Sequence, residues 1–250
     1  LPPMKAGGPH MMTVSGNNTV TLTDILVGEV WIGSGQSNME WTLNGSMNPK
    51  TEAAAAKFPL IRHIKVPHQD RDAPQYDFNG NWSVCSPSTA GNYTAVGYFF
   101  ARKLYRELGV PIGLINTSWG GTRIEPWTPL TGFKKIANAG FTKSIIQRIE
   151  EADPKTATGK KRYASVMDEF RNWVAQSEKR IANGQYPTRS PQVPSLGNGP
   201  QQPARLYRGM IHPLVPFAMR GAIWYQGESN GSEGLTYYQK MQGLIRGWRH

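Results

Sequence analysis

The chain is poor in cysteine: Cys85 is the only one in 250 residues. No disulfide can form within it and no cysteine-ligated zinc site can be built, although this does not fix the compartment. No apolar run approaches the roughly 18 residues that a membrane-spanning helix needs. Acidic residues are scarce, with 17 Asp and Glu against 28 Lys and Arg, for a formal net charge of +11. That balance suits nucleic acid, an acidic polysaccharide, or simply scattered solvated lysines and arginines. The densest basic run, Lys160-Lys161-Arg162, lies in a stretch of helical composition, and no sequence-readable nucleic-acid motif is present. Neither a nucleic-acid partner nor a membrane is expected. The opening residues, Leu1-Pro2-Pro3-Met4, have no charged n-region or apolar h-region, so no signal peptide is expected in this chain. Both ends, Leu1 and Gly247-Trp248-Arg249-His250, read as cuts through a larger protein.

What is present is material for a core. Eight Trp, ten Tyr and eight Phe accompany a hydrophobic content of 38%, which suits one or two globular domains. Residues 11–24 are rich in Thr and Val, with Gly16-Asn17-Asn18 as a turn signal, and predict a β-hairpin. Ile25–Ile32, Ile112–Ile115 and Gly221–Tyr225 are short apolar strand candidates, each running into a polar, Gly-rich loop. Val96, Phe99, Phe100, Leu104 and Leu108 recur at helical spacing, with Gly109 as a C-cap. Residues 132–184 have helical composition. There Met167, Phe170, Trp173, Val174 and Ile181 form an apolar stripe, read as core or lid packing and closed by Gly184. Five prolines mark 185–204 as an ordered loop or linker, and a helix is expected from Leu235 to Trp248. Strands alternating with helices predict α/β organisation with a parallel sheet, whose ligands bind beyond the carboxyl ends of the strands. The three polar loops should therefore converge.

The first loop, Gly33-Ser34-Gly35-Gln36-Ser37, offers a serine on a tight turn after a strand. Its hydroxyl can reach a substrate carbonyl and its own N–H can help bind the oxyanion. The alternative is that Ser37 merely N-caps the next segment of chain. The pattern is not Gly-x-Ser-x-Gly, because position 39 is Met. The second loop supplies Gly120 and Gly121, which let backbone N–H groups approach a ligand closely or make an ordinary turn. The third supplies Gln226, Glu228, Ser229 and Asn230, which offer an amide donor or simply solvate the loop.

Three blocks stand in order: Gly35-Gln36-Ser37-Asn38-Met39-Glu40, then Asn116-Thr117-Ser118-Trp119-Gly120-Gly121-Thr122-Arg123-Ile124-Glu125-Pro126-Trp127, then Trp224-Tyr225-Gln226-Gly227-Glu228-Ser229-Asn230. Together they resemble the sialate O-acetylesterase-like family of the SGNH-hydrolase superfamily. Leu206-Tyr207-Arg208-Gly209-Met210-Ile211-His212-Pro213 resembles that family's segment before the third strand. The resemblance implies a three-layer α/β/α, flavodoxin-like SGNH domain with a parallel sheet over 25–250. A helical insertion falls near 132–184, and a short remnant of an N-terminal β-domain occupies 1–24. It implies a serine esterase that removes O-acetyl groups from carbohydrates through an acetyl-enzyme, with no metal or organic cofactor. The substrate would be acetylated sialic acid or a plant polysaccharide such as xylan. A secreted or periplasmic location goes with the family.

By the same resemblance Ser37 is the nucleophile. The oxyanion hole is Ser37 N–H, an N–H of Gly120 or Gly121, and the Gln226 amide, with Asn230 the rival amide. Gln36, Asn38, Arg123 and Glu228 order the site or touch substrate. The family's general base is a His in an Asp-x-x-His pair, and that pair is not found in this chain. His212 precedes Pro213 and matches a non-base position. Two consequences are expected: a weakly active or inactive carbohydrate-binding remnant as the alternative to an esterase, and self-association through an exposed sheet surface.

Overall fold

The computed structural model describes residues 3–250. The chain divides into two compact units. The first gathers the chain up to His68, Tyr76–Arg123 and Leu214–Ser229. The second gathers Gln69–Gln75, Ile124–Pro213 and Asn230–His250.

The first unit begins with the hairpin β1 (Gly7–Ser15) and β2 (Thr19–Val27), paired antiparallel around the Gly16–Asn18 turn. The hairpin expected at 11–24 is longer at both ends and takes Ile25–Val27 into β2, so the strand expected at Ile25–Ile32 breaks at Gly28 and resumes as Glu29–Gly35; residues 1 and 2 lie outside the described ones. Then come β3 (Glu29–Gly35), α1 (Ser37–Glu40), α2 (Pro49–Ala54), β4 (Phe58–Lys65), β5 (Ser83–Cys85), α3 (Ala95–Leu108) and β6 (Ile112–Asn116). The chain returns to this unit for β7 (Gly221–Tyr225). The sheet order is β5-β4-β6-β3-β7. β3 pairs parallel with both β6 and β7, and β4 parallel with β6; only β5 runs antiparallel. The architecture is α/β with a mostly parallel central sheet. Asn116 pairs in register with Gly33 and with Lys65, so the carboxyl ends of β3, β4 and β6 lie level and their loops leave from one end of the sheet.

Helix α3 shows how the sheet is covered. Thr94 caps it, accepting from Gly97 N–H at 3.4 Å, and Gly109 closes it at φ 64°. Its buried face is Ala95, Gly97, Tyr98 and Ala101. The expected stripe of large residues is displaced: Phe99 and Leu108 are exposed. The reason is close approach, since a Cβ on Gly97 would sit 2.5 Å from Leu114 Cδ2. Leu43, Ile61, Tyr98 and Ile112 are fully buried in the adjoining core, each worth roughly 1.5–3 kcal/mol of transfer free energy.

The second unit is helical: α4 (Leu130–Lys134), α5 (Thr142–Glu151), α6 (Ala157–Ala182) and α7 (Leu235–Trp248). Phe133, Ile149, Leu196 and Ala204 form its core. On α6 the inward line is Gly159, Tyr163, Val166, Phe170, Trp173 and Ser177, at alternating spacings of three and four residues. Phe170 and Trp173 of the expected stripe belong to it. Met167, Val174 and Ile181 do not: they are 41%, 45% and 61% exposed. The stripe was drawn through large residues, whereas the buried line passes through Gly159 and Ser177. The Pro-rich stretch is pinned, with Leu196 N–H on Asp72 at 3.1 Å, Gly199 N–H on Asp70 at 3.0 Å, and Arg205 paired with both carboxylates. Among the described residues no helix is long and apolar enough to cross a membrane.

Candidate active site

Strand β3 ends on Gly35 at φ 136°, where a Cβ would lie 2.0 Å from Tyr225 O. Only glycine allows that approach. Gln36 N–H then donates to the same carbonyl at 3.0 Å, and α1 starts at once with Ser37. Met39, 1% exposed, anchors the turn from beneath, and its carbonyl accepts Thr94 Oγ1 at 2.6 Å. Ser37 itself is exposed. The capping alternative does not hold: the residue at the cap position is Gln36, and Ser37 is the first residue of the helix. Among the described residues neither Ser37 Oγ nor Ser37 N–H has a protein hydrogen-bond partner. A hydroxyl and an adjacent backbone donor therefore face outward together, as attack on a carbonyl requires.

Around Ser37 the loops are heavily cross-tied. Gln36 is 4% exposed, and its Oε1 accepts Gln226 Nε2 at 3.1 Å and Ser229 N–H at 3.2 Å. Gln226 Nε2 also donates to Thr122 O at 3.1 Å. Both amide hydrogens of Gln226 are thus spent within the protein, and here it ties the third loop to the first and second. Asn38 Nδ2 donates to Glu228 Oε1 at 2.6 Å, a further tie between first and third loops. In the second loop Trp119 N–H donates to Gly35 O at 3.0 Å. Gly120 comes next to Ser37, its ideal Cβ position 3.5 Å from Ser37 Cβ. Its N–H donates to Glu40 Oε2 at 2.7 Å, so the expected oxyanion donor has a carboxylate on it. Gly121 is exposed at φ 74°, and Arg123 is half-buried. Asn230, the rival amide, is 2% exposed in the second unit. It accepts Ile124 N–H at 3.0 Å and donates to Glu125 Oε2 at 3.2 Å.

Glu40 was not singled out from the sequence. It stands three residues after Ser37 on α1, a spacing that puts both on one helix face. Besides Gly120 N–H it takes Lys65 Nζ at 3.0 Å and His68 Nε2 at 2.7 Å. The His68 ring lies flat on Trp119, 4.2 Å away and 5° from parallel. Burial pushes the Glu40 carboxyl up, but hydrogen bonds from Lys65 and Gly120 and the nearby positive charges outweigh it and hold the group below its usual value. Glu40 is therefore a carboxylate hub joining the carboxyl-end loops of β3, β4 and β6. The available signal was an acidic residue in the first turn of a helix after a strand.

Among the described residues no histidine hydrogen-bonds Ser37. His63 is buried, and burial with the charge of Lys65 lowers it to about 4. His212 Nδ1 lies 2.7 Å from Gln75 O in the second unit. Among the described residues no group of three His, Cys, Asp or Glu is disposed to hold a metal ion.

A family model described as carbohydrate esterase, sialic acid-specific acetylesterase, matches residues 27–167. The chain is 31% identical to a sialate O-acetylesterase of Rattus norvegicus and 30% identical to that of Homo sapiens, in each case along its whole length. It spans 45% and 41% of those relatives. Among solved structures, a carbohydrate acetylesterase from Xanthomonas citri matches all of this chain and 45% of its own, with 32% identity and a TM-score of 0.72.

Proposed function

The chain belongs to the sialic acid-specific acetylesterase family of carbohydrate esterases, and from that premise we propose that it hydrolyses O-acetyl esters on carbohydrates with Ser37 as nucleophile. The observation that carries the reading is the exposed Ser37 hydroxyl, held on the Gly35–Gln36 turn beside its own unbonded N–H. Ser37 Oγ attacks the acetyl carbonyl, the sugar hydroxyl leaves, and water then releases acetate from the acetyl-enzyme. Ser37 N–H is the donor best disposed toward the oxyanion. Gln36 and Gln226 hold the walls of the site, and Asn38 with Glu228 braces its rim. For Gly120 N–H to join the oxyanion hole, Glu40 must yield it.

No histidine bonds to Ser37 Oγ in this arrangement. Ser37 then attacks with no histidine to take its proton, and its acetylation is slow beside that of a complete triad. Self-association is proposed along the β7 side of the sheet, supported by exposed Val215, Phe217 and Tyr225.

Acetate release from acetylated xylan and from an O-acetylated sialoside tests the reading and chooses the sugar. Ser37→Ala should abolish release at matched folding. Equal rates for the variant and the parent would overturn the assignment.

A further inference from the structure

One turn beyond Ser37 the chain places an exposed tryptophan. Trp41 N–H donates to Ser37 O at 2.8 Å and closes the α1 turn. The two residues are therefore neighbours on one helix surface, about 6 Å apart along its axis. Trp41 is 58% exposed. Its carbonyl accepts Ala95 N–H at 2.8 Å, so both of its backbone groups are bonded within the protein and the exposed area is chiefly the indole.

The ring is fixed in place. Its Nε1 donates to Gly45 O at 2.6 Å. A Cβ on Gly45 would lie 2.6 Å from Nε1, 2.9 Å from Cε2 and 3.3 Å from Cζ2, so this edge of the indole rests where only glycine leaves it room. With one edge held and more than half of the residue exposed, a face of the ring stands open to water. A single exposed apolar residue is ordinary on a protein surface. A tryptophan held by its own N–H against a glycine, one turn from the candidate nucleophile, is different: it is a rigid apolar surface that loses little freedom when a ligand covers it.

The surroundings select among ligands. Residues 41–49, Trp-Thr-Leu-Asn-Gly-Ser-Met-Asn-Pro, carry no charge in a chain with 28 basic and 17 acidic residues. The adjoining charge is the Glu40 carboxylate, which Lys65 and His68 both bond. A sugar bearing a carboxylate would find no cation within this segment. A neutral pyranose with equatorial hydroxyls, such as xylopyranose, turns a flat set of C–H bonds toward the electron-rich face of an indole. Asn44, exposed in the same segment, offers an amide to the hydroxyls at the ring's rim. We infer that Trp41 is the stacking platform for the neutral pyranose unit whose acetyl group reaches Ser37, and that it favours esters of neutral polysaccharides over those of sialosides. The inference rests on the carbohydrate acetylesterase reading and narrows its substrate.

The test uses binding alone, so that it stands apart from ester turnover. The full chain is titrated by calorimetry with xylotriose and, separately, with the methyl α-glycoside of N-acetylneuraminic acid. Xylotriose should bind, and more tightly than the sialoside. Trp41→Ala should weaken xylotriose binding about tenfold, the worth of one aromatic stacking contact, with thermal melting to match its folding to the parent's. Trp41→Phe keeps a ring without the bond to Gly45 and should restore part of the loss. No binding of xylotriose, equal affinity in the parent and Trp41→Ala, or a sialoside bound as tightly as xylotriose overturns the inference. So does self-association in sedimentation that Trp41→Ala abolishes, which would make the ring a contact between copies of the chain. Failure of the esterase reading would appear elsewhere, as absent acetate release from a protein that still binds xylotriose.

Discussion

Two carboxylate hubs in this molecule are built from the same chemistry and differ in burial. Glu125, in the helical unit, takes Lys240 Nζ at 2.6 Å and Asn230 Nδ2 at 3.2 Å, and Lys240 also meets Glu233 at 2.6 Å. Lys240 and Glu125 side chains are only 7% and 12% exposed. Glu40, in the sheet unit, takes Lys65, His68 and a backbone N–H, with Lys65 45% and Glu40 22% exposed. A sealed hub leaves an uncompensated charge behind when one partner is removed, so its contribution shows as stability. An open hub is screened by water and contributes little stability. What it can do is hold geometry, and Glu40 stands one helical turn from the candidate nucleophile.

The largest expected effect is on the sealed hub. Lys240→Ala should destabilise the protein by about 3–5 kcal/mol in chemical denaturation, because Glu125 and Glu233 are left as buried carboxylates without their cation. A loss below about 1 kcal/mol would erase the distinction between the hubs.

Acid separates the two regions next. His63, beneath the Glu40 loops, has its pKa depressed from 6.5 to about 4 by burial first and by Lys65 second. Its stability contribution is complete above pH 6.5 and is lost as pH falls toward 4, and it amounts to roughly 3 kcal/mol at full range. The stability difference between the parent and His63→Phe should shrink by about that much between pH 7 and pH 4. Glu125 behaves differently. Burial raises its pKa, but Lys240, a backbone N–H and Asn230 lower it further, so its contribution holds above about pH 4.5 and fails only below. A parent whose stability is flat from pH 7 to pH 4 would contradict the buried neutral His63.

The open hub should show the smallest change in stability and a clear one in turnover. Glu40→Ala is expected to cost less than about 1 kcal/mol of stability. It should lower acetate release on the order of 10- to 100-fold, since a displacement of about 1 Å beside the candidate nucleophile costs up to 100-fold. Glu40→Gln keeps an acceptor for Gly120 N–H and should retain more activity than Glu40→Ala. Faster turnover in Glu40→Ala would instead mean that Glu40 withholds Gly120 N–H from the oxyanion.

The strands that carry the three motif loops were legible because each is a short apolar run ending in glycine or polar residues: Ile112–Asn116 and Gly221–Tyr225 lie where their pattern places them. β4 was missed because Arg62 and His63 interrupt its apolar run; Arg62 instead meets Asp24 at 2.7 Å and His63 meets Tyr93. With β4 unseen, Lys65 and His68 could not be placed beside Ser37. Helix existence was readable and helix facing was not. On α3 and α6 the buried lines run through Gly97, Ala101, Gly159 and Ser177, small residues that a search for large apolar side chains passes over. The strand, glycine and turn marked Ser37 only as a candidate; its role as nucleophile comes from the resemblance of the three blocks to the family. The partners of Gln226 and Gly120 were not legible, because they are set by contacts between loops far apart in sequence.

The central claim is that Ser37 is the acyl-accepting residue, and covalent labelling tests it most directly. The chain is treated with a fluorophosphonate, digested, and mapped by mass spectrometry. The account predicts a single adduct on the peptide bearing Ser37, absent from Ser37→Ala. An adduct on another residue with Ser37 unmodified, or undiminished labelling of Ser37→Ala, would contradict it.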